Sequence, residues 1–124
     1  MLTGMDALRV VVDDVDAALV AFEAAGYSLA QRWGPPFAVL SGRGADVWLS
    51  GPGTSAARSL DALDDADAAA ASVRPVLDVT DVGATVAALT AAGWTVAGEL
   101  VSGPGGAQQL LRRGPVFLEV FSGG

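Results

Sequence analysis

Neither histidine nor cysteine occurs in these 124 residues, so the chemistry open to the chain is narrow. Without thiols there is no disulfide, no thiolate metal site and no cysteine nucleophile. Without imidazole the commonest general base and the commonest ligand for zinc, nickel and non-haem iron are gone. Carboxylates, arginines and aromatic rings remain, and these can move protons, steady an anion or stack a planar compound. Two groupings look like ligand loops and are not. Asp61, Asp64, Asp65 and Asp67 lack the glycine and terminal glutamate of an EF-hand loop and read as solvated chain. Gly103-Pro104-Gly105-Gly106 is followed by neither a lysine nor a helix, so it reads as a hairpin and not as a phosphate loop or dinucleotide fingerprint.

Charge and hydropathy bound the partners. A net charge of -7, with seven basic residues scattered along the chain, argues against a nucleic-acid backbone and suits a cationic or neutral ligand better. A hydrophobic content of 52% and a length of 124 residues predict one globular domain over 1-124. Apolar runs such as Leu8 to Val12 and Val116 to Val120 are far shorter than the ~20 residues of a membrane span. Met1 to Asp6 lacks the basic start and apolar core of a secretory signal, and the expected location is cytoplasmic.

The elements that must position these residues come as a repeat. Val12 to Tyr27 returns 67 residues later as Val79 to Trp94, with eight of sixteen positions identical. In each copy a Val-rich strand precedes an aspartate suited to N-capping (Asp14, Asp81). An apolar helical stripe follows (Val15, Leu19, Phe22; Val82, Val86, Leu89), and then a glycine suited to a left-handed C-cap (Gly26, Gly93). Three short strand segments come next in each half: Tyr27 to Trp33, Phe37 to Ser41 and Ala45 to Ser50, then Trp94 to Val101, Ala107 to Arg112 and Pro115 to Ser122. The prediction is α+β, two tandem βαβββ modules over 6-51 and 72-122. The stretch 52-71, rich in Ala, Asp and Ser, reads as a surface linker with a helical turn at Leu60 to Leu63, outside the core. One βαβββ unit leaves a sheet face open, and two such units facing each other build a cleft.

This pattern resembles the vicinal oxygen chelate superfamily, which includes glyoxalase I, extradiol dioxygenases and the bleomycin resistance proteins. The marks are the Val-rich first strands, the helix entries Asp14-Val15 and Asp81-Val82, the Ala-Ala-Gly helix exits and the final Phe117-Leu118-Glu119-Val120. The resemblance implies a cup-shaped sheet with helices outside, a homodimer, and metal ligands on the first and fourth strand of each module. Carried over by spacing, those positions are Ala7, Ser50, Arg74 and Glu119, of which only Glu119 is a good ligand for a divalent ion. The implied metal site is therefore lost and no cofactor is expected. Arg74 is expected to fill the vacated space and pair with Glu119, because a lone buried carboxylate is costly.

Strand alternation from those positions turns Ala7, Arg9 and Val11, then Asp46, Trp48 and Ser50, into the cup. The second half contributes Arg74, Val76 and Asp78, then Phe117, Glu119 and Phe121, with Gln108 or Gln109. Trp33, Phe37 and Trp94 stand near turns as a rim, whereas Tyr27 and Trp94 also fit an ordinary core. The resemblance implies a metal-independent binding protein that sequesters an aromatic or cationic, antibiotic-like ligand. The site expected is Trp48, Arg9, Asp46, Ser50, Arg74, Phe117, Glu119, Phe121, Trp33 and Phe37. Two other readings stand beside it. One is a metal-free isomerase or lyase with Glu119 or Asp78 as general base and Arg74 steadying an oxyanion; the other is a dimerising or regulatory module without ligand.

Overall fold

A computed structural model describes residues 7–103 and 105–123. The strand start expected at Asp6 and the Pro104 of the hairpin lie outside the described residues. The chain runs β1 (Ala7–Val11), α1 (Val15–Ala24), β2 (Ser28–Trp33), β3 (Phe37–Ser41) and β4 (Asp46–Ser50). It continues with α2 (Ser55–Arg58), α3 (Asp65–Ala71), β5 (Val73–Asp78), α4 (Val82–Ala91), β6 (Thr95–Gly103), β7 (Gly106–Arg113) and β8 (Val116–Ser122). Each half is βαβββ, as the repeat predicts.

The two long helices are delimited by their sequence. Asp14 and Asp81 accept hydrogen bonds from the backbone N–H of Ala17 (3.1 Å) and Ala84 (3.0 Å), relieving one orphan donor at each helix start. At the other end Gly26 (φ 104°) and Gly93 (φ 105°) take the left-handed conformation. There the next residue's N–H turns back to donate to the carbonyl of Phe22 or Leu89.

The eight strands among the described residues form one sheet in the order β2-β3-β4-β1-β5-β8-β7-β6. Within each module the first and fourth strands pair in parallel, and β1 and β5 join the modules antiparallel. The result is the α+β cup of two modules. Val10, Val12, Ala38, Leu40, Val47 and Leu49 lie on its outer face against Val15, Leu19 and Phe22 of α1.

The cup interior departs from the expectation for 52-71. This stretch forms α2 and α3, and instead of running over the surface it covers the inner face of the second module. Ala56 and Ala71 are buried, and Leu60 and Leu63 pack on a cluster of Ala71, Ala97, Leu110 and Phe117. Asp64 caps α3 through the N–H of Asp67, and Asp67 pairs with Arg112 at 2.7 Å, so half of the acidic stretch is structural. Few apolar residues suffice because small alanines let the helices approach the strands closely. Truncating Leu63 to alanine should lower stability by about 1 to 2 kcal/mol, less than a fully buried leucine because it is only partly covered. An unchanged urea midpoint would return the segment to the surface.

Candidate ligand-binding site

Arg9 on β1 and Arg74 on β5 lie directly opposite each other across the central antiparallel pair. Like charges in that position repel. Glu119, carried in by β8 beside Val76, stands between them: Oε1 accepts from Arg9 Nε (3.1 Å) and Arg74 Nε (2.9 Å), and Oε2 accepts from Arg9 Nη2 (2.7 Å). Arg74 and Glu119 are 0% exposed and Arg9 is 4% exposed. The expected Arg74–Glu119 pair is therefore present, and Arg9, which spacing also turned inward, makes it a triad.

Both arginines are held from a second side. Arg74 donates to the carbonyls of Ala71 (2.9 Å) and Ala56 (3.2 Å) and to Gln108 Oε1 (3.0 Å), which also accepts from Ser59 Oγ. Arg9 Nη1 donates to Ser50 Oγ (3.1 Å). Burial alone would raise the Glu119 carboxyl, but the hydrogen bonds and charges of Arg9 and Arg74 outweigh it and hold the group below its usual value. Burial is also the main reason that the Arg74 guanidinium falls below its own usual value; repulsion by Arg9 adds to it, and Glu119 offsets part.

The Arg9 guanidinium sits in a box of rings. Its carbon lies 5.0 Å from the Trp48 ring centre, 5.7 Å from Phe121 and 6.0 Å from Phe37, within cation–π range. Trp48 meets Phe37 and Phe121 edge-on, and Phe37 continues into a parallel stack with Trp33 at 5.5 Å. Trp33 is 60% exposed, while Phe37, Trp48 and Phe121 are half-buried. Four rings thus line the first module's side of the cup.

The expected site residues divide accordingly. Arg9, Ser50, Trp48, Phe121, Phe37 and Trp33 come together, and Asp46 shares their face two residues from Trp48 on β4. Arg74 and Glu119 belong to the sealed base. Phe117 is removed from the cup by the linker: it is buried in the second cluster, with the Arg112 guanidinium 4.7 Å from its ring centre. Gln108 faces inward but spends its amide oxygen on Arg74 and Ser59, while Gln109 turns to backbone carbonyls of β6 and β7. Tyr27 packs edge-on against Phe22 in the first core. Asp78 is exposed, level with Phe121. Two surface hollows of about 350 and 290 Å³ lie elsewhere, one beside the entry to α1 and Pro35-Pro36, the other between α2 and β6.

The donor set does not fit a divalent ion. Ala7 has no ligand atom, Arg74 brings a cation, Ser50 Oγ accepts from Arg9, and both Glu119 oxygens accept from guanidinium groups. Register also corrects one equivalence. Ala7 pairs with Val76 and Arg9 with Arg74, so Arg9 and Val76 are two-fold counterparts; Trp48 stands beside Arg9 as Glu119 stands beside Val76. The counterpart of Glu119 is thus Trp48 and not Ser50, and it too offers no ligand. Among the described residues no three Asp or Glu side chains gather into a metal site.

Comparison with solved structures assigns the fold. A glyoxalase/bleomycin resistance protein/dioxygenase superfamily member from Vibrio splendidus matches over 94% of this chain and 96% of its own, with TM-score 0.58 and 16% identity. Methylmalonyl-CoA epimerase from Mycobacterium tuberculosis matches over 99% and 89%, with TM-score 0.60 and 20% identity. A Legionella pneumophila structure described as an NAD-dependent benzaldehyde dehydrogenase matches over 94% and 97%, with TM-score 0.69 and 9% identity. No family model matches the sequence, and no curated protein does. The chain has the fold of the glyoxalase/bleomycin resistance/dioxygenase superfamily, with an arginine–glutamate–arginine triad at its base. No helix among the described residues is long and apolar enough to cross a membrane.

Removing one partner of this buried triad leaves charge uncompensated, so Glu119→Gln should cost about 3 to 5 kcal/mol at neutral pH by urea unfolding. The Glu119 pKa is lowered in the folded state, so its contribution is complete above the unfolded value near ~4.3 and disappears as pH falls through the folded value. Between pH 7 and 3 the wild type should therefore lose more stability than Glu119→Gln. Parallel acid limbs would contradict this.

Proposed function

We propose that this is a metal-independent binding protein for a planar aromatic small molecule, taken up by the first module's side of the cup. The observation that carries the reading is the run of rings Trp33, Phe37, Trp48 and Phe121, open to solvent at Trp33 and backed by a buried guanidinium. Rings so arranged stack flat compounds at about 0.5 to 1.5 kcal/mol per pair beyond area burial. Arg9 already occupies the cation–π position, so a cationic ligand would meet a like charge there, and the reading narrows from aromatic or cationic to aromatic. Sequestration of an antibiotic-like compound by a cytoplasmic homodimer is the biological form this reading takes.

The fold does not separate binding from catalysis, since one solved neighbour is an epimerase. The triad supplies the argument against Glu119 as a general base: the carboxylate is fully buried, is held below its usual pKa, and has both oxygens engaged by guanidinium hydrogens. Neutral naphthalene-2-carboxamide should quench tryptophan emission saturably. Trp33→Ala and Trp48→Ala should each weaken its binding about threefold to tenfold, with Trp94→Phe unchanged. Equal affinity in all three variants would remove the ring face as the site.

A further inference from the structure

We infer that the compound held by this ring face is anionic at its polar end, an aryl carboxylate received by Arg9 and Ser50. The inference rests on the planar-ligand reading and adds to it the charge of the ligand. Its basis is a surplus of buried donors. A guanidinium carries five N–H hydrogens, and Arg9 spends one each from Nε and Nη2 on Glu119 and one from Nη1 on Ser50. One hydrogen on Nη1 and one on Nη2 have no acceptor among the described residues. Ser50 Oγ is 0% exposed and accepts from Arg9, yet its own hydrogen also has no acceptor there. The neighbouring acceptors are spent: both Glu119 oxygens take guanidinium hydrogens, and Gln108 Oε1 takes Arg74 and Ser59. Every buried side-chain N and O atom among the described residues has at least one partner, so the surplus is of hydrogens on atoms already engaged, and a carboxylate supplies acceptors for all three.

Charge points the same way. The base of the cup holds two guanidinium groups against one carboxylate, a net positive charge in a desolvated place. Asp46 and Asp78 lie on the same face, but Asp46 is half-buried and Asp78 exposed, where solvent screens them far more than it screens Arg9. Geometry joins the two halves of the ligand. Arg9 lies 5.0 Å from the Trp48 ring centre, so an acceptor bonded to Arg9 is already beside the rings, and an aryl group attached to it stacks on them. Phe37, Trp48 and Phe121 cover the guanidinium, so entry requires these half-buried side chains to turn aside.

The test uses three compounds of one shape on the whole chain: naphthalene-2-carboxylate, naphthalene-2-carboxamide and naphthalen-2-ylmethylammonium, titrated by tryptophan quenching and calorimetry. The carboxylate should bind about tenfold tighter than the carboxamide, with the ammonium weakest. Ser50→Ala, a small change that leaves the triad intact, should lower carboxylate affinity about tenfold and leave the ammonium unaffected. Acetate alone should raise the Tm of the wild type and not that of Ser50→Ala. Equal affinities, or the ammonium binding tightest, would overturn the anion site and keep the planar-ligand reading. No quenching by any compound with the acetate effect intact would remove the planar-ligand reading and keep the anion site; loss of both effects would overturn both.

Discussion

The contact on which this molecule depends is the carboxylate of Glu119 held between Arg9 and Arg74. The two cations face each other across β1 and β5, the only direct strand pairing between modules among the described residues, and without an anion they would repel each other across that seam. Glu119 arrives from the strand on the far side of β5, so one side chain ties three adjacent strands and both modules together. Such a triad is not the most stable filling available, because desolvating three charges can cost more than their attraction returns. What it provides is definition: both oxygens of Glu119 are fixed by guanidinium hydrogens from two strands. The same contact decides the chemistry, since a carboxylate engaged on both oxygens is neither a metal ligand nor a ready base.

From the triad two further parts of the structure follow, one on each side. On the second module's side Arg74 reaches the carbonyls at the end of α3 and within α2, pinning 52-71 over the sheet and closing that half of the cup. On the first module's side Arg9 reaches Ser50 and lies under the rings of Phe37, Trp48 and Phe121. Duplication therefore produces two like halves of one sheet with unlike contents, one covered by its own connecting segment and one lined by aromatic side chains. A binding site in such a cup is one-sided, and the two-fold relation of the backbone does not extend to it.

What the sequence disclosed and what it hid follow from the range of the interactions involved. The repeat, the caps at Asp14 and Asp81 and the alternation of inner and outer strand residues are local or periodic, and all were legible. So was the pairing of Arg74 with Glu119, because an inward carboxylate needs a partner. The burial of 52-71 was not: alanine and aspartate read as solvated chain, and only contact with distant strands of the sheet buries Ala56 and Ala71 and packs Leu60 and Leu63 on the core. Phe117 was misplaced for the same reason, since its parity was right and its cover was unforeseen. The counterpart of Glu119 was mistaken because β6, at nine residues, is longer than β2, at six, so counting along the chain loses register that strand pairing restores. Arg9 was placed in the cup, but nothing local says that it rather than a ligand occupies the ring box.

The chain's acidity and the positive charge of its cup are not in conflict, because they act over different distances. Most of the carboxylates behind the net charge of -7 lie on helix entries, turns and α3, at the surface, where counter-ions damp them within about 8 Å at physiological salt. Their summed field slightly slows an approaching anion. Inside the cup the damping fails, and there the balance is set by three buried groups of which two are cations. A surface of one sign around a site of the other separates the two tasks: the outer charge governs solubility, and the inner one governs which end of a ligand can be desolvated. Selectivity of this kind comes from the cost of leaving Arg9 and Ser50 without acceptors, a cost that is the same whatever the outer surface carries.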